Sequence, residues 1–195
     1  NSLLGPEVRV IGLKSVSIEF HAQRSAVRKQ YSYYFQQGPC ALPFLEPFSW
    51  WIRKKLDLEA MNEALSYFRG EHDFKPFQAS GSKPGPTVRV VSAAEAVVMP
   101  IGFPELTPFG LSDSERARGF RLVRVRVIGS GFLKQMVRGL AGTLLQVGEG
   151  RRDPSCIQKI LTSMDRSAVG PTAPSRALWL ERVWYDPDLF GPTLD

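Results

Sequence analysis

Hydrophobic and polar residues alternate along several segments of the chain, and a period of two predicts β-strands. The segments are Glu7 to Leu13, Val27 to Gln36, about Thr87 to Met99, Phe120 to Ile128 and Ala177 to Tyr185. In the second segment, Tyr31, Tyr33 and Phe35 share one face, because successive side chains of a strand point to opposite sides. In the fourth, valines alternate with Arg124 and Arg126, which predicts a half-buried strand with arginines on its other face.

Other segments repeat hydrophobic residues every three to four positions, the period of an amphipathic helix. The predicted helices run from about Leu58 to Arg69, from Gly131 to Val147, and from Asp153 to about Met164. Their predicted N-caps are Asp57, Ser130 and Asp153, residue types whose side chains accept hydrogen bonds from the first free amides of a helix. Gly70 marks the end of the first helix, and Pro154 suits the first turn of the third.

The predicted strands and helices alternate irregularly, and no internal repeat is visible. This order predicts an α+β fold, a mixed or antiparallel sheet with helices packed on one face. The length of 195 residues suits a single domain, residues 1–195. Residues Pro100 to Gly119 combine glycine, proline and charged side chains, and they predict a surface insertion between two strands.

Basic residues are concentrated in one part of the sequence. The whole chain has a net charge of +6 and a pI near 9.5. Between residues 116 and 152, however, nine basic side chains face one acid, Glu149, so this stretch alone carries +8. Cationic surfaces bind phosphate backbones, which makes nucleic acid the leading predicted partner and the arginine face of the fourth strand a candidate RNA contact. The alternative is a basic face that is only solvated.

Several classes of protein are not supported by the sequence. No stretch has the roughly 20 apolar residues of a membrane span, so no membrane partner is expected. Cys40, Cys156, His21 and His72 lack metal-site spacing, so no metal is expected. The two cysteines suit reduced thiols of an intracellular protein, with mitochondrial, nuclear and cytoplasmic locations left open. No serine hydrolase set or glycine-rich phosphate loop is visible.

Two residues occupy positions that packing alone does not explain. Arg138 lies about 150° from the apolar stripe of its predicted helix, taking ~100° per residue, on the side that also carries Gly142. Gly139 and Gly142 each cost about 1 kcal/mol relative to alanine in a helix, which indicates a backbone or ligand close to that surface. Tyr31 could stack on an extruded base. The alternatives are a solvent-exposed arginine and a core tyrosine.

Five segments, in order, resemble the TruA family of tRNA pseudouridine synthases over nearly the whole chain. They are NSLLGPEVRV, FHAQRSAVRKQYSYYF, GEHDFKPFQ, GFLKQMVRGLAGTLLQVGEG and APSRALWLERVWY. The fourth is the most specific, because it is similar to the family's Phe-x-x-x-Met-Val-Arg helix. Within the family, the chain most resembles the eukaryotic tRNA pseudouridine synthase-like proteins.

The resemblance implies roles for individual residues. Tyr31 matches the active-site tyrosine, which packs on the extruded uracil and is implicated in removing the C5 proton. Arg138 matches the arginine that pairs with the catalytic aspartate. Leu178 matches an apolar residue that lines the base pocket. On charge and position, the candidates for phosphate contacts are Arg28, Lys29, Lys75, Lys83, Arg89 and Lys134.

The aspartate that the family places in a Gly-Arg-Thr-Asp-x-Gly-Val-His motif is absent from this sequence. The chain is therefore expected to supply the C-terminal half of a catalytic cleft, to need no cofactor, and to be inactive alone. Two alternatives remain: a non-catalytic RNA-binding module that presents aromatics from its sheet, and a catalytically dead interaction subunit. The sequence also leaves open whether the protein is a homodimer.

Overall fold

A computed structural model describes residues 1–99 and 119–186. In these residues the chain forms six strands and three α-helices around a single sheet. In chain order they are β1 (Ala26–Gln37), β2 (Trp50–Ile52), α1 (Leu58–Ser66), β3 (Gly70–Asp73), β4 (Val88–Met99), β5 (Arg121–Gly129), α2 (Met136–Gly148), α3 (Cys156–Ser163) and β6 (Leu178–Tyr185).

The sheet has the strand order β2-β1-β5-β4-β3, and β6 also pairs with β1. One edge of β1 is shared, because β6 pairs with residues 26–33 and β2 pairs with residues 35–37. The β1–β2 pair is parallel, and the other pairs are antiparallel. This mixed sheet confirms the predicted α+β class.

The helices pack on the face of the sheet that carries the alternating hydrophobic residues. Tyr33 and Phe35 of β1 and Val125 of β5 are fully buried, as the period-two pattern predicts. They belong to one core with Met136 and Leu140 of α2. The burial of nonpolar side chains between the two layers holds α2 against the two central strands, and it fixes which side chains of β1 lie beneath this helix.

The first and third helices largely follow their predictions. Asp57 is the N-cap of α1, where its Oδ1 accepts the backbone N–H of Ala60 at 3.1 Å. The helix ends at Ser66, three residues earlier than predicted, and Gly70, with φ of 104°, begins β3. Asp153 accepts the Ser155 N–H at 2.9 Å, but the regular helix begins only at Cys156.

Two local predictions are wrong. Residues 7–13 form no strand, and their apolar side chains are exposed, Ile11 fully and Leu13 by 95%. No described strand pairs with this segment, and a strand needs a neighbour to satisfy its backbone groups. Ser130 is not the N-cap of α2, which begins at Met136. Its hydroxyl accepts the Val90 N–H at 3.2 Å, so it extends the pairing with β4 instead.

The remaining expectations concern the insertion, membrane-spanning helices and the two cysteines. The predicted insertion, apart from Gly119, lies outside the described residues. Among residues 1–99 and 119–186, no helix is long and apolar enough to cross a bilayer. Cys40 and Cys156 are both free thiols.

Candidate active site

Tyr31 lies on the helix-covered face of the sheet, near the start of β1. It pairs with Val127 of β5 and alternates with the buried Tyr33, so its ring points to the same side as the core. The ring is half-buried and packs edge-on against Phe132, with 5.2 Å between ring centroids. Burial raises the pKa of the Tyr31 hydroxyl, so the group is a neutral phenol at physiological pH.

Arg138 lies in the first turn of α2, the helix that packs on the same face. Its Nε donates to the carbonyl oxygen of Ala173 at 2.6 Å, and the carbonyl of Arg138 accepts the Ala173 N–H at 3.1 Å. This pair of hydrogen bonds ties the residue to the segment that leads into β6. The alternative of a solvent-exposed arginine is therefore wrong, because Arg138 is half-buried and hydrogen-bonded through both its backbone and its side chain.

Tyr33 connects these two residues. Its hydroxyl donates to the carbonyl of Pro174 at 2.9 Å, the residue after the one that Arg138 binds. Burial raises the pKa of Tyr33, while the charges of Arg138 and Arg176 act in the opposite direction, which indicates that both guanidinium groups lie close to it. Tyr31 is two residues away on the same face, about 7 Å along the strand.

Two leucines of β6 lie beside Tyr31 and Tyr33, on the edge of β1 opposite β5. Leu178 pairs directly with Tyr33, is half-buried and packs against the core. Leu180 pairs directly with Tyr31 and is 51% exposed. Residues directly opposite in an antiparallel pair share a face, so both leucines lie beside the tyrosines. An exposed leucine next to a half-buried tyrosine offers a surface on which a flat ring can stack.

The close approach predicted from Gly139 and Gly142 is made by the protein backbone. A Cβ atom at Gly142 would lie 1.7 Å from the carbonyl oxygen of Pro171, and one at Gly139 would lie 3.3 Å from a methyl group of Val169. The Thr143 hydroxyl also accepts the Gly170 N–H at 2.9 Å. These glycines therefore let residues 169–173 lie directly on α2, which places the carbonyl that Arg138 binds.

Beside Phe132 lies a cationic cavity of about 620 Å³. Its lining includes two predicted phosphate contacts, Lys29 and Arg89, together with Arg24. The Arg89 side chain lies against Gly131, where a Cβ would be 3.5 Å from its Nε. Because Phe132 contacts both this cavity and Tyr31, the cations are neighbours of the candidate site.

The other predicted phosphate contacts are more dispersed. Arg28 lies on the opposite face of the sheet from Tyr31, with its guanidinium 4.7 Å from the centroid of the Trp184 ring. Lys134 is exposed just before α2, and its carbonyl accepts the Ala79 N–H, which brings the loop that carries Lys83 towards this end of the helix. Lys75 is also exposed, in a short 3-10 helix.

The arginine face of β5 is partly neutralised by carboxylates. Arg126 forms a salt bridge of 2.9 Å with Glu95. Glu181 accepts hydrogen bonds from Gln30 and from the Tyr34 hydroxyl, the latter at 2.6 Å. Burial raises the pKa of Glu181, but hydrogen bonds and the charge of Arg124 outweigh it and keep the pKa low. This face is thus a poorer candidate for phosphate binding than the cavity beside Phe132.

The sequence alone does not predict three features of the site: Arg24, Leu180 and the link between Tyr33 and Arg138 through the carbonyls of Pro174 and Ala173. The two-residue alternation of Leu178 with Leu180 was a usable signal for the second leucine. Arg24 precedes β1, where no periodicity assigns a face. In the described residues, no group of three or more His, Cys, Asp or Glu side chains is placed to hold a metal ion.

Comparison with known proteins gives consistent matches. A family model described as tRNA pseudouridine synthase matches residues 64–186. The tRNA pseudouridine synthase A of Thermus thermophilus is 35% identical over 98% of this chain and 69% of its own length. Those of Ruminiclostridium cellulolyticum and Maridesulfovibrio salexigens are each 34% identical, over 95% and 100% of this chain and 68% and 65% of their own lengths. The chain thus spans about two thirds of these relatives. All three are bacterial, and the resemblance to eukaryotic members stays a prediction.

Proposed function

The chain belongs to the tRNA pseudouridine synthase family, and on this basis we propose that its helix-covered sheet face forms one wall of a cleft in which a uridine of tRNA is isomerised to pseudouridine. The observation that carries the proposal is the placement of Tyr31 and Arg138 on the same face, linked through Tyr33 and the Ala173–Pro174 carbonyls. The family match favours the enzyme over an RNA-binding module and over a dead paralogue.

Each of these residues has a distinct part in the proposal. Tyr31, Leu178 and Leu180 hold the extruded uracil, because an aromatic ring and two apolar side chains suit the flat face of a base. Arg138 is a positioning residue, whose guanidinium orients the catalytic carboxylate of the full-length protein and favours its ionised form. The bond from its Nε to Ala173 leaves the terminal nitrogens of the guanidinium to form that ion pair.

The isomerisation needs no oxidant or reductant. The bond between C1′ of the ribose and N1 of uracil breaks, the base turns, and a new bond forms between C1′ and C5. The proton on C5 leaves, and N1 gains a proton, so substrate and product have the same composition. We assign the removal of the C5 proton to Tyr31, and a half-buried site limits the reaction of the detached base with water.

The activity is tested with the full-length protein and unmodified tRNA labelled with tritium at C5 of uridine. Release of tritium, together with pseudouridine among the chromatographically separated nucleosides, is the expected result. Tight binding of tRNA without either product would instead support the RNA-binding module or the inactive subunit.

The cavity beside Phe132 predicts which cations bind the RNA backbone. Replacing Lys29 by glutamine removes one cation from the cavity, and we expect the slope of log K against log salt to become shallower by about 0.7 to 0.9. Binding measured at four or more salt concentrations gives this slope.

Arg28 provides the matched control, because it is the adjacent residue on the same strand and points to the opposite face. Arg28→Gln should leave the salt slope unchanged. Equal effects of the two substitutions would contradict the assignment of the phosphate contacts to this cavity.

We also propose that the protein forms a homodimer through an exposed aromatic cluster beside β6. Phe48 and Trp179 pack together with 5.7 Å between ring centroids, yet remain 51% and 42% exposed. Exposed apolar clusters of this kind often mark protein interfaces. Light scattering should give twice the monomer mass for the full-length protein, and Trp179→Glu should return it to one. A monomeric wild type would contradict the proposal.

A further inference from the structure

A second cationic pocket lies at the other end of the two central strands from the cavity beside Phe132. It has a volume of about 430 Å³, and Arg53, Lys55 and Arg121 contribute to its lining. Its described lining includes no acidic side chain. The salt bridges formed within the described residues involve Arg126 and Arg151, not these three cations. Three cations around one pocket repel each other, and an anion between them removes that repulsion.

The pocket is built by the backbone of three elements. Gln37, the last residue of β1, pairs with Arg121 of β5 and with Ile52 of β2. Its buried amide oxygen accepts the Leu56 N–H at 3.1 Å, which anchors the loop that carries Arg53 and Lys55. The cations thus come from two segments that one strand end holds in place, so less ordering is needed when a ligand binds.

Two glycines, Gly38 and Gly119, line part of the pocket. Gly119 has a φ of 85°, which a side chain disfavours. Gly38 could not carry a Cβ, since that atom would lie 2.4 Å from the ring of Phe120. At Gly119 no described atom lies within 4 Å of the place that a Cβ would occupy, so an anion has room to approach the backbone there.

The distance from the candidate active site limits what the anion can be. Gln37 is six residues from Tyr31 along β1, a separation of about 20 Å. Stacked nucleotides advance by about 3.4 Å each along the helix axis, so a strand that passes around the buried Tyr33 and Phe35 needs at least about six nucleotides to span this distance. We propose that the pocket binds a backbone phosphate of the RNA substrate at least about six nucleotides from the target uridine, an inference that rests on the proposed function.

The test uses the full-length protein and two RNAs with the same target uridine. In the long RNA the strand continues at least ten nucleotides on both sides, and in the short RNA it ends within three. For the triple variant Arg53→Gln, Lys55→Gln, Arg121→Gln, we expect the affinity for the long RNA to fall about tenfold or more. The slope of log K against log salt should become shallower by about 0.7 to 0.9. The affinity for the short RNA should not change.

Lys54→Gln is the matched control, because Lys54 lies between Arg53 and Lys55, is exposed and does not line the pocket. It should leave both affinities at the wild-type value. Thermal unfolding of each variant shows whether it is folded, and Arg53→Gln with Lys55→Gln, two exposed positions, provides a second variant if the triple is not.

Wild-type affinity of the variant for the long RNA, or equal losses for the two RNAs, would overturn the inference. If inorganic phosphate bound in the pocket without weakening the binding of RNA, the inference would also be overturned, because the pocket would then be a site for a free anion. The binding comparison needs no turnover. An absence of pseudouridine with the expected length-dependent binding would therefore count against the proposed function alone.

Discussion

Replacing Arg138 by alanine in the full-length enzyme lowers kcat by roughly 30- to 5,000-fold and changes the dissociation constant for tRNA by less than about twofold. The range follows from the cost of removing one partner of a buried charge pair, about 2–5 kcal/mol, at about 1.4 kcal/mol for each factor of ten. The effect falls on kcat because the proposed partner is the catalytic carboxylate rather than the RNA. Single-turnover kinetics and filter binding with the same tRNA measure the two quantities.

Two further variants separate the positioning role from a purely structural one. Arg138→Lys keeps the charge but loses the planar guanidinium, so it should recover only part of kcat. Arg69 is the matched control, because it also donates to a backbone carbonyl, that of Ala94, through Nε at 3.1 Å and Nη2 at 2.7 Å. Arg69→Ala should reduce the free energy of unfolding without changing kcat. If Arg138→Ala kept near-normal kcat, the pairing role would be refuted.

The parts of the fold that the sequence predicts well are those where one local signal agrees with the final packing. In β5, three alternating residues are valines, Val123, Val125 and Val127, and their side chains are the ones buried in the core. The N-cap of α1 is predictable from the sequence because, within residues 1–99 and 119–186, the Asp57 side chain serves only the helix N-terminus. The prediction at Ser130 is wrong because its hydroxyl can accept a hydrogen bond either from the start of a helix or from a neighbouring strand. In the structure it accepts the N–H of Val90 in β4.

The segment at residues 7–13 shows a second limit of pattern reading. Its alternation of apolar residues is typical of a strand, but no described strand lies beside it. A helix satisfies most of its own backbone groups, whereas a strand depends on a partner that is often far away in sequence. A local sequence pattern therefore predicts strands less reliably than helices.

For the candidate site, the sequence identified residue types but not all of their neighbours. By charge alone, Arg28 and Lys29 are equally good candidates for a phosphate contact. The structure distinguishes them because adjacent residues of β1 face opposite sides of the sheet. Period-two parity with Tyr31 could have made this distinction. The contact between Arg138 and Ala173 could not have been found in this way, because it joins residues 35 positions apart.

Tyr31→Phe tests whether the hydroxyl, rather than the ring, contributes to the chemistry. We expect kcat to fall by roughly 10²- to 10⁴-fold, the usual contribution of a group that moves a proton in the rate-limiting step. KM should stay near the wild-type value, because phenylalanine keeps the edge-on contact with Phe132 and the surface on which uracil stacks. Tyr31→Leu, which also loses the aromatic ring, should raise KM in addition.

Tyr34→Phe is the matched control, since Tyr34 lies on the same strand but on the other face, where its hydroxyl donates to Glu181. Its kcat should remain within about twofold of the wild type. Normal kcat for Tyr31→Phe would show that the hydroxyl takes no part in the reaction.

The pH dependence of kcat distinguishes whether Tyr31 acts as a phenolate or as a neutral phenol. Burial raises the pKa of Tyr31 above its ordinary value near 10, so roughly one molecule in a thousand or fewer carries the phenolate at pH 7. If the reaction required the phenolate, kcat would rise about tenfold per pH unit up to that raised pKa. We expect instead a flat profile between pH 7 and 9, because a neutral phenol can accept the C5 proton only as it passes its own proton to another group, such as the catalytic carboxylate. A log-linear rise that disappears in Tyr31→Phe would contradict this relay and assign the phenolate as the base.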